Sequence, residues 1–370
     1  MDRSLLLLLV LLLPVLSSSQ QNATPPQLQP RAGEPSKAPA DAASVSLDRR
    51  ITLDVQVTDK SGAPVRGLQL QDFTVLDDKQ PQKIISFQSV DVGAPAPSDP
   101  PAEIVLVIDG VNTAFNGDAY ERGEVKKFLL QNGGKLAQPV SLIFFYDSGA
   151  KVQENSSRDG NAQAALFDQY ETEVRTINRS QGFYGAAERY DLSLKTLSSL
   201  VEQEEARPGR KLMIWFSPGW PLLSGPNVEL TRKDEQAFFN SIVAISTGLR
   251  RARITLYNVS PQGPANAGRI ESTFYENFLQ GVTAAEHAQP GDLGLQVLAV
   301  QSGGRVFNTT NDVTSALASC ASDANSFYGL SFDGARADQL DEYHSLAIKI
   351  DKPKVTARTR TGYYAQPGRP

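Results

Sequence analysis

Hydrophobic and polar positions divide the chain into three patterns. From Val45 to Val92 apolar and polar residues alternate, as in ITLDVQVTD (Ile51–Asp59), which predicts half-buried strands. Two further strands are expected around Phe73–Leu76 and Lys83–Val90, with a turn at Asp77-Asp78-Lys79-Gln80. From residue 102 to 324 continuous apolar runs alternate with helical spacing. The runs are EIVLVID (Glu103–Asp109), VSLIFFYD (Val140–Asp147), KLMIWFS (Lys211–Ser217), RITLYNVS (Arg253–Ser260) and GRVFN (Gly304–Asn308). The helices expected between and after them cover Gly117–Asn132, Asn161–Arg175, Ala186–Glu204, Lys233–Arg250, Gly294–Gln301 and Val313–Ala324. An unbroken aliphatic run suits a strand covered on both faces, so this βαβα rhythm predicts a doubly wound, mostly parallel sheet of the α/β class. Alternation returns in NSFYGLSFD, HSLAIKID and VTARTRTGYYA between residues 325 and 366.

Each β segment alone leaves an apolar face uncovered, Val55 and Val57 on one and Leu346, Ile348 and Ile350 on the other. Packing the two sets into one β-sandwich, with the α/β domain inserted between them, covers both. The rival arrangement is an independent N-terminal domain with the last strands extending the parallel sheet.

The first 20 residues place Arg3 before an apolar run, Leu5–Leu16, followed by small serines, the layout of a signal peptide. Residues 21–44 are rich in Pro, Gln, Ala and Ser and predict a disordered tether. Asp91–Pro101, with four prolines, reads as a linker. An exported chain is therefore expected, periplasmic or extracellular, with no membrane span once the leader is cleaved. A net charge of -5 argues against nucleic acid or an anionic membrane as partner. Cys320 is the single cysteine, which excludes an intramolecular disulfide and reads as a buried small hydrophobe.

Signatures of nucleophilic hydrolases, zincins, P-loops and dinucleotide folds are absent. His287 and His344 are the only histidines, and neither has a second metal-ligand type at recognisable spacing. Asp109 ends the central run and is followed by Gly110, Asn112 and Thr113. A carboxylate there stands where open α/β sheets collect ligands, or it caps the turn; both readings stay open.

EIVLVIDGVNT and the runs that follow resemble the von Willebrand factor type A domain. The flanks, ITLDVQVTDKSGAPVRGLQLQDFTVLDDKQPQKIISFQ and SFYGLSF…GYYA, resemble the bacterial exported VWFA-related subgroup abundant in acidobacteria. The resemblance implies a Rossmann-like sheet with a metal-ion-dependent adhesion site, built from a D-x-S-x-S motif, a later Thr and an Asp after the fourth strand. Asp109 and Thr113 match that motif, whereas Val111, Ala187 and Pro218 stand at the other three ligand positions. The implied site is degenerate, so no cofactor is expected and weak Mg²⁺ binding is the most it allows. Asn112, Asn116, Asp118 and Asp147 are the substitute oxygens within reach along the chain.

Ser217-Pro218-Gly219-Trp220-Pro221 reads either as a rigid turn or as a mount for an exposed Trp220 that anchors a partner. The resulting expectation is a secreted, non-enzymatic binding protein that holds a protein or peptide on the rim formed by Asp109, Asn112, Thr113 and Trp220. A metal-assisted hydrolase and a structural envelope component are the competing classes.

Overall fold

A computed structural model describes residues 49–91, 102–113, 115–171, 182–224, 229–260, 274–309, 312–335, 337 and 339–366. The expected signal segment, the tether and most of the proline-rich linker lie outside the described residues, as do the side chains of Asn116 and Asp118.

The α/β class expected from the apolar runs is observed. Strands β5 (Glu103–Asp109), β6 (Lys135–Tyr146), β9 (Lys211–Phe216), β10 (Ile254–Val259) and β11 (Val306–Phe307) are parallel, in the order β11-β10-β9-β5-β6. Two short strands, β7 (Gly149–Val152) and β8 (Ser157–Asp159), pair antiparallel with β6 at the edge. These edge strands were not anticipated, because four- and three-residue segments carry too little alternation to register.

The continuous run of β5 fills two cores at once. Val105 and Val107 face a core shared with helices α3 (Gly182–Glu205), α4 (Arg232–Arg251) and α5 (Leu295–Gln301). Ile104, Leu106 and Ile108 face the other, shared with α1 (Phe115–Leu129), α2 (Gly160–Glu171) and α6 (Val313–Asn325). Cys320 lies buried in that second core, and burial pushes its thiol well above the usual range. Helix α4 is closed at its start by a capping box: Thr231 accepts from Asp234 N, while the Asp234 carboxylate accepts from Thr231 N.

The two flanking β segments interleave. Strand β1 (Arg50–Asp59) pairs antiparallel with β12 (Ser326–Asp333) along one edge and with β14 (Val355–Arg358) along the other. β4 (Ser86–Asp91) completes that sheet beside β12. The facing sheet runs β15 (Gly362–Ala365), β13 (Glu342–Ile350), β2 (Phe73–Asp77), β3 (Gln80–Gln82). Alternate residues of β1, Ile51, Leu53, Val55 and Val57, meet Phe73, Val75, Leu330, Phe332 and Leu346 in one core. The segments therefore form a shared sandwich with the α/β domain inserted between its strands.

Two single strands of the expectation are divided. The stretch from Lys83 to Val90 is preceded by β3 and resolves into β4 only from Ser86. VTARTRTGYYA splits into β14 and β15, which belong to different sheets. Between them Thr361 crosses over, its N–H donating to Gln301 O at 3.1 Å and its carbonyl accepting from Leu346 N at 2.8 Å.

Buried charges join the sandwich to the amino edge of the parallel sheet. Asp54 of β1 accepts from Arg253 at 2.8 Å and lies 3.7 Å from Arg210 Nε. Asp323 Oδ2, at the end of α6, receives Arg305 at 2.9 Å, Arg358 at 2.5 Å and Tyr257 OH at 2.9 Å. Arg210 donates to Asp323 O at 2.7 Å and lies over the Phe327 ring.

Because the strands paired with β1 among the described residues come from the C-terminal segment, a chain ending at Ala324 should lose amide protection throughout β1–β4. The parallel sheet should keep its own protection, as read by hydrogen exchange. Full protection of β1 in that truncated chain would contradict the shared sandwich.

Candidate functional site

The parallel sheet changes direction at β5. The chain leaves β5 through α1 on one face to reach β6, and leaves β9 through α4 on the other face to reach β10. The crevice between the carboxyl ends of β5 and β9 is therefore the switch point where such sheets bind ligands. Asp109 and Ser217 stand at its two sides.

Asp109 is 0 % exposed and its carboxylate is fully engaged. Oδ1 accepts from Val111 N at 2.9 Å and Asn112 N at 2.8 Å, an Asx-type turn. Oδ2 accepts from Asn112 Nδ2 at 2.9 Å and from the Trp215 indole N–H at 2.8 Å. A carboxylate offers about four lone-pair positions, and these four donors use them. Burial raises the pKa of Asp109, while the Trp215 and Asn112 hydrogen bonds oppose the rise. The carboxylate is thus tied to β9 by an indole and to its own turn by two backbone amides.

The remaining sequence candidates occupy mixed positions. Asn112 is half-buried, and its Nδ2 also donates to Ser193 Oγ at 2.9 Å. Thr113 is buried, with no hydrogen-bond partner for its Oγ1 among the described residues. Asp147 is exposed just past the end of β6 and is not among the partners of Asp109.

Trp220 corrects the expectation of an exposed anchor. It is 3 % exposed and packs edge-on against Trp215, with ring centroids 5.1 Å apart. The turn that mounts it points inward because Gln296 Nε2 donates to Pro218 O at 3.2 Å. Gly219 carries a φ of +116°, and a Cβ there would meet Gln296 Nε2 at 2.0 Å, so this position requires glycine. The rigid-turn reading of Ser217–Pro221 is the one the packing supports.

Ser193 was missed in the sequence. It lies three residues after Tyr190 and four before Leu197, on the buried face of α3, so spacing alone gave it an inward position and no role. The rim is closed further by the segment after β10. Tyr190 OH donates to Pro290 O at 2.8 Å, and Gly291 N donates to Ser224 Oγ at 2.9 Å.

One exposed feature stands above this closed rim. Helix α3 starts eleven residues before Ser193, roughly 16 Å farther along its axis at 1.5 Å per residue. Its first turn carries Phe183 and Tyr184, 60 % and 84 % exposed, in edge-on contact with each other.

No protein-family model and no curated protein matches the sequence. Among solved structures the chain is similar to the human COPII-coat protein Sec24c, at 9 % identity and TM-score 0.34, covering 72 % of this chain and 44 % of that one. It is also similar to the PilB minor pilin from Streptococcus sanguinis, at 11 % identity and TM-score 0.35, covering 62 % and 63 %. The pilus adhesin SpaC from Lactobacillus rhamnosus GG shares 11 % identity at TM-score 0.37, covering 84 % and 49 %. This chain spans less than two thirds of each of those proteins, and likenesses so distant carry no function across.

Two outcomes follow from the geometry of the rim. Asp109→Ala strands the Trp215 indole N–H and two backbone amides in a buried site, which should destabilise the protein by about 3–5 kcal/mol in urea unfolding. Asp109→Asn, which keeps one acceptor oxygen, should cost less. The second outcome concerns Asp292, whose carboxyl is pushed up to about 6 by burial beside Gln289 N. The folded state holds this proton more tightly than the unfolded chain. Its contribution is thus fully present at pH values below the unfolded pKa and is lost as pH rises through about 6. Asp292→Asn should flatten the stability profile between about pH 4 and 6.5 and raise stability at neutral pH by at most about 3 kcal/mol, read from thermal melts across pH.

Proposed function

We propose that the chain is an exported, non-enzymatic binding protein that holds a protein or peptide partner above the carboxyl rim of its inserted α/β domain, without a metal ion at that rim. The carrying observation is the contrast at α3: a rim whose one central carboxylate is consumed internally, and beside it a projecting first turn with Phe183 and Tyr184 in solvent. Aromatic side chains exposed on a rigid helix supply large contact area at low entropic cost, the usual composition of interface anchors. Phe183 and Tyr184 take over the anchoring role first read into Trp220. Asn112 and Thr113, also read from the sequence as partner contacts, border the same rim but face inward, Asn112 toward Asp109 and Ser193.

The absence of catalytic signatures in the sequence and the engaged state of Asp109 both support a binding role over a metal-assisted hydrolase. The apolar leader read at residues 1–20 supports export.

Crosslinking with mass spectrometry on envelope fractions of the native host tests this reading. Crosslinks to one partner should concentrate near residues 182–190 and should fall at least roughly tenfold in the double variant Phe183→Ala/Tyr184→Ala, whose melting temperature should stay unchanged because both side chains are exposed. Calorimetric traces with Mg²⁺ should superimpose for the natural chain and Thr113→Ala. Undiminished crosslinks in the double variant, or an Mg²⁺ site lost in Thr113→Ala, would count against the proposal.

A further inference from the structure

A second cluster of chemistry-bearing side chains lies in the sandwich, remote from the rim in the chain and independent of the binding role proposed above. Asp77 ends β2, Asp78 opens the two-residue turn to β3, and His344 lies on β13 beside β2. Asp78 and Lys79 have φ of +46° and +67°, the left-handed pair that a tight hairpin needs. That turn is tied to β13 by Asp78 N donating to Ser345 O at 2.9 Å.

Each carboxylate has one oxygen held and one oxygen aimed inward. Asp77 Oδ2 accepts from Tyr363 OH at 2.7 Å. Asp78 Oδ1 accepts from Ser345 N at 2.8 Å and Ser345 Oγ at 2.9 Å. The other two oxygens converge on a single nitrogen: His344 Nδ1 lies 3.1 Å from Asp77 Oδ1 and 3.0 Å from Asp78 Oδ2. The imidazole is stacked on Tyr363, with ring centroids 5.2 Å apart and planes 19° from parallel, which fixes its orientation. Its Nε2 is buried with no partner, so no second hydrogen bond dictates which nitrogen carries the proton.

We propose that Asp77 Oδ1, Asp78 Oδ2 and His344 Nδ1 form a binding site for a divalent transition cation of the Zn²⁺ type. Ligand atoms around such an ion at about 2.0–2.2 Å lie about 3.3–3.6 Å apart in a tetrahedron and about 2.8–3.1 Å apart at right angles, and the 3.1 and 3.0 Å beside Nδ1 match the right-angled arrangement. The donor count agrees. One Nδ1 proton points toward a single acceptor and leaves the other carboxylate oxygen without a donor, whereas a divalent ion would serve both oxygens and the ring nitrogen together. One imidazole with two carboxylate oxygens suits Zn²⁺ and its first-row neighbours better than Mg²⁺. Tyr363 and Ser345 act as the outer hydrogen bonds that orient metal-binding carboxylates. The Asp78 side chain is 50 % exposed, which gives the ion an entry path and lets water complete its shell.

Calorimetry and thermal melts on the full chain, stripped with chelator and titrated with ZnCl₂, test the site. One equivalent should bind in the micromolar range or tighter and raise the melting temperature, and Co²⁺ should give the visible absorption of an N/O-ligated ion. Asp78→Asn keeps an acceptor for Ser345 and tolerates the left-handed turn, so it should fold normally while weakening Zn²⁺ binding roughly tenfold or more. His344→Gln should weaken it as well. Absence of saturable binding of Zn²⁺, Mn²⁺ or Ni²⁺ to the natural chain, or binding unchanged in both variants, would overturn the proposal and leave the three side chains as an ion pair.

Discussion

Strand β1 cannot be satisfied by its own neighbourhood in the chain. Its residues 50–55 pair with β12, and its residues 56–59 pair with β14, both more than two hundred residues later. The backbone of a half-buried strand must find hydrogen-bond partners, and here the paired strands follow the α/β domain, while the N-terminal segment itself supplies local bonds such as Val65 N to Val57 O. This one constraint sets the architecture: the inserted domain must return the chain close to where it left. Glu103 N donates to Arg210 O and Lys211 N to Arg253 O at the amino edge of the sheet. The edge thus organised also presents Arg210 and Arg253 to Asp54 on β1. Buried ion pairs of this kind add little net stability but penalise any other arrangement that leaves a charge alone. The Asp54 and Asp323 clusters therefore act as a register lock between two bodies that hydrophobic packing alone would hold less specifically.

The carboxyl edge is closed by the opposite device. In place of paired charges, a single buried carboxylate is surrounded by neutral donors. Asp109 organises the turn after β5 through two backbone amides and ties it to β9 through Trp215. Trp215 in turn seats Trp220. The desolvation of Asp109 is opposed by the hydrogen bonds from Trp215, Asn112 and the turn amides. The carboxylate at the head of the crevice thereby becomes part of the packing that joins β5 to β9.

The sequence made the parallel sheet legible for a definite reason. Five consecutive aliphatic residues, Ile104–Ile108, can be buried on both faces only in a central strand, and alternation in Ile51–Asp59 can serve only one face. The shared sandwich followed from the apolar faces those strands leave uncovered. What stayed hidden depends on contacts between distant residues. The direction of Trp220 is set by Gln296, 76 positions later, and Ser193 acquires its role only when Asn112 reaches it. The two aspartates and the histidine of the sandwich are 267 residues apart along the chain, so no local spacing could bring them together. The break between β14 and β15 was missed because alternation continues through Thr359–Thr361 although the chain there changes sheets.

The two edges of the inserted sheet leave different surfaces free. The amino edge is covered by the sandwich, and the polar groups of the carboxyl edge are turned inward on Asp109, Ser193, Pro218 and Pro290. Asn112 Oδ1, Thr113 Oγ1, Trp220 Nε1 and Gln296 Oε1 nevertheless lie buried near the crevice without a hydrogen-bond partner among the described residues. Helix α3 differs, because it is anchored by Tyr190, Leu197 and Leu200 while Phe183 and Tyr184 of its first turn are exposed. A rod clamped at one end presents Phe183 and Tyr184 with little freedom to lose on binding. The binding role proposed above accordingly rests on the exposed first turn of α3 and not on the crevice, where the type A resemblance would place it.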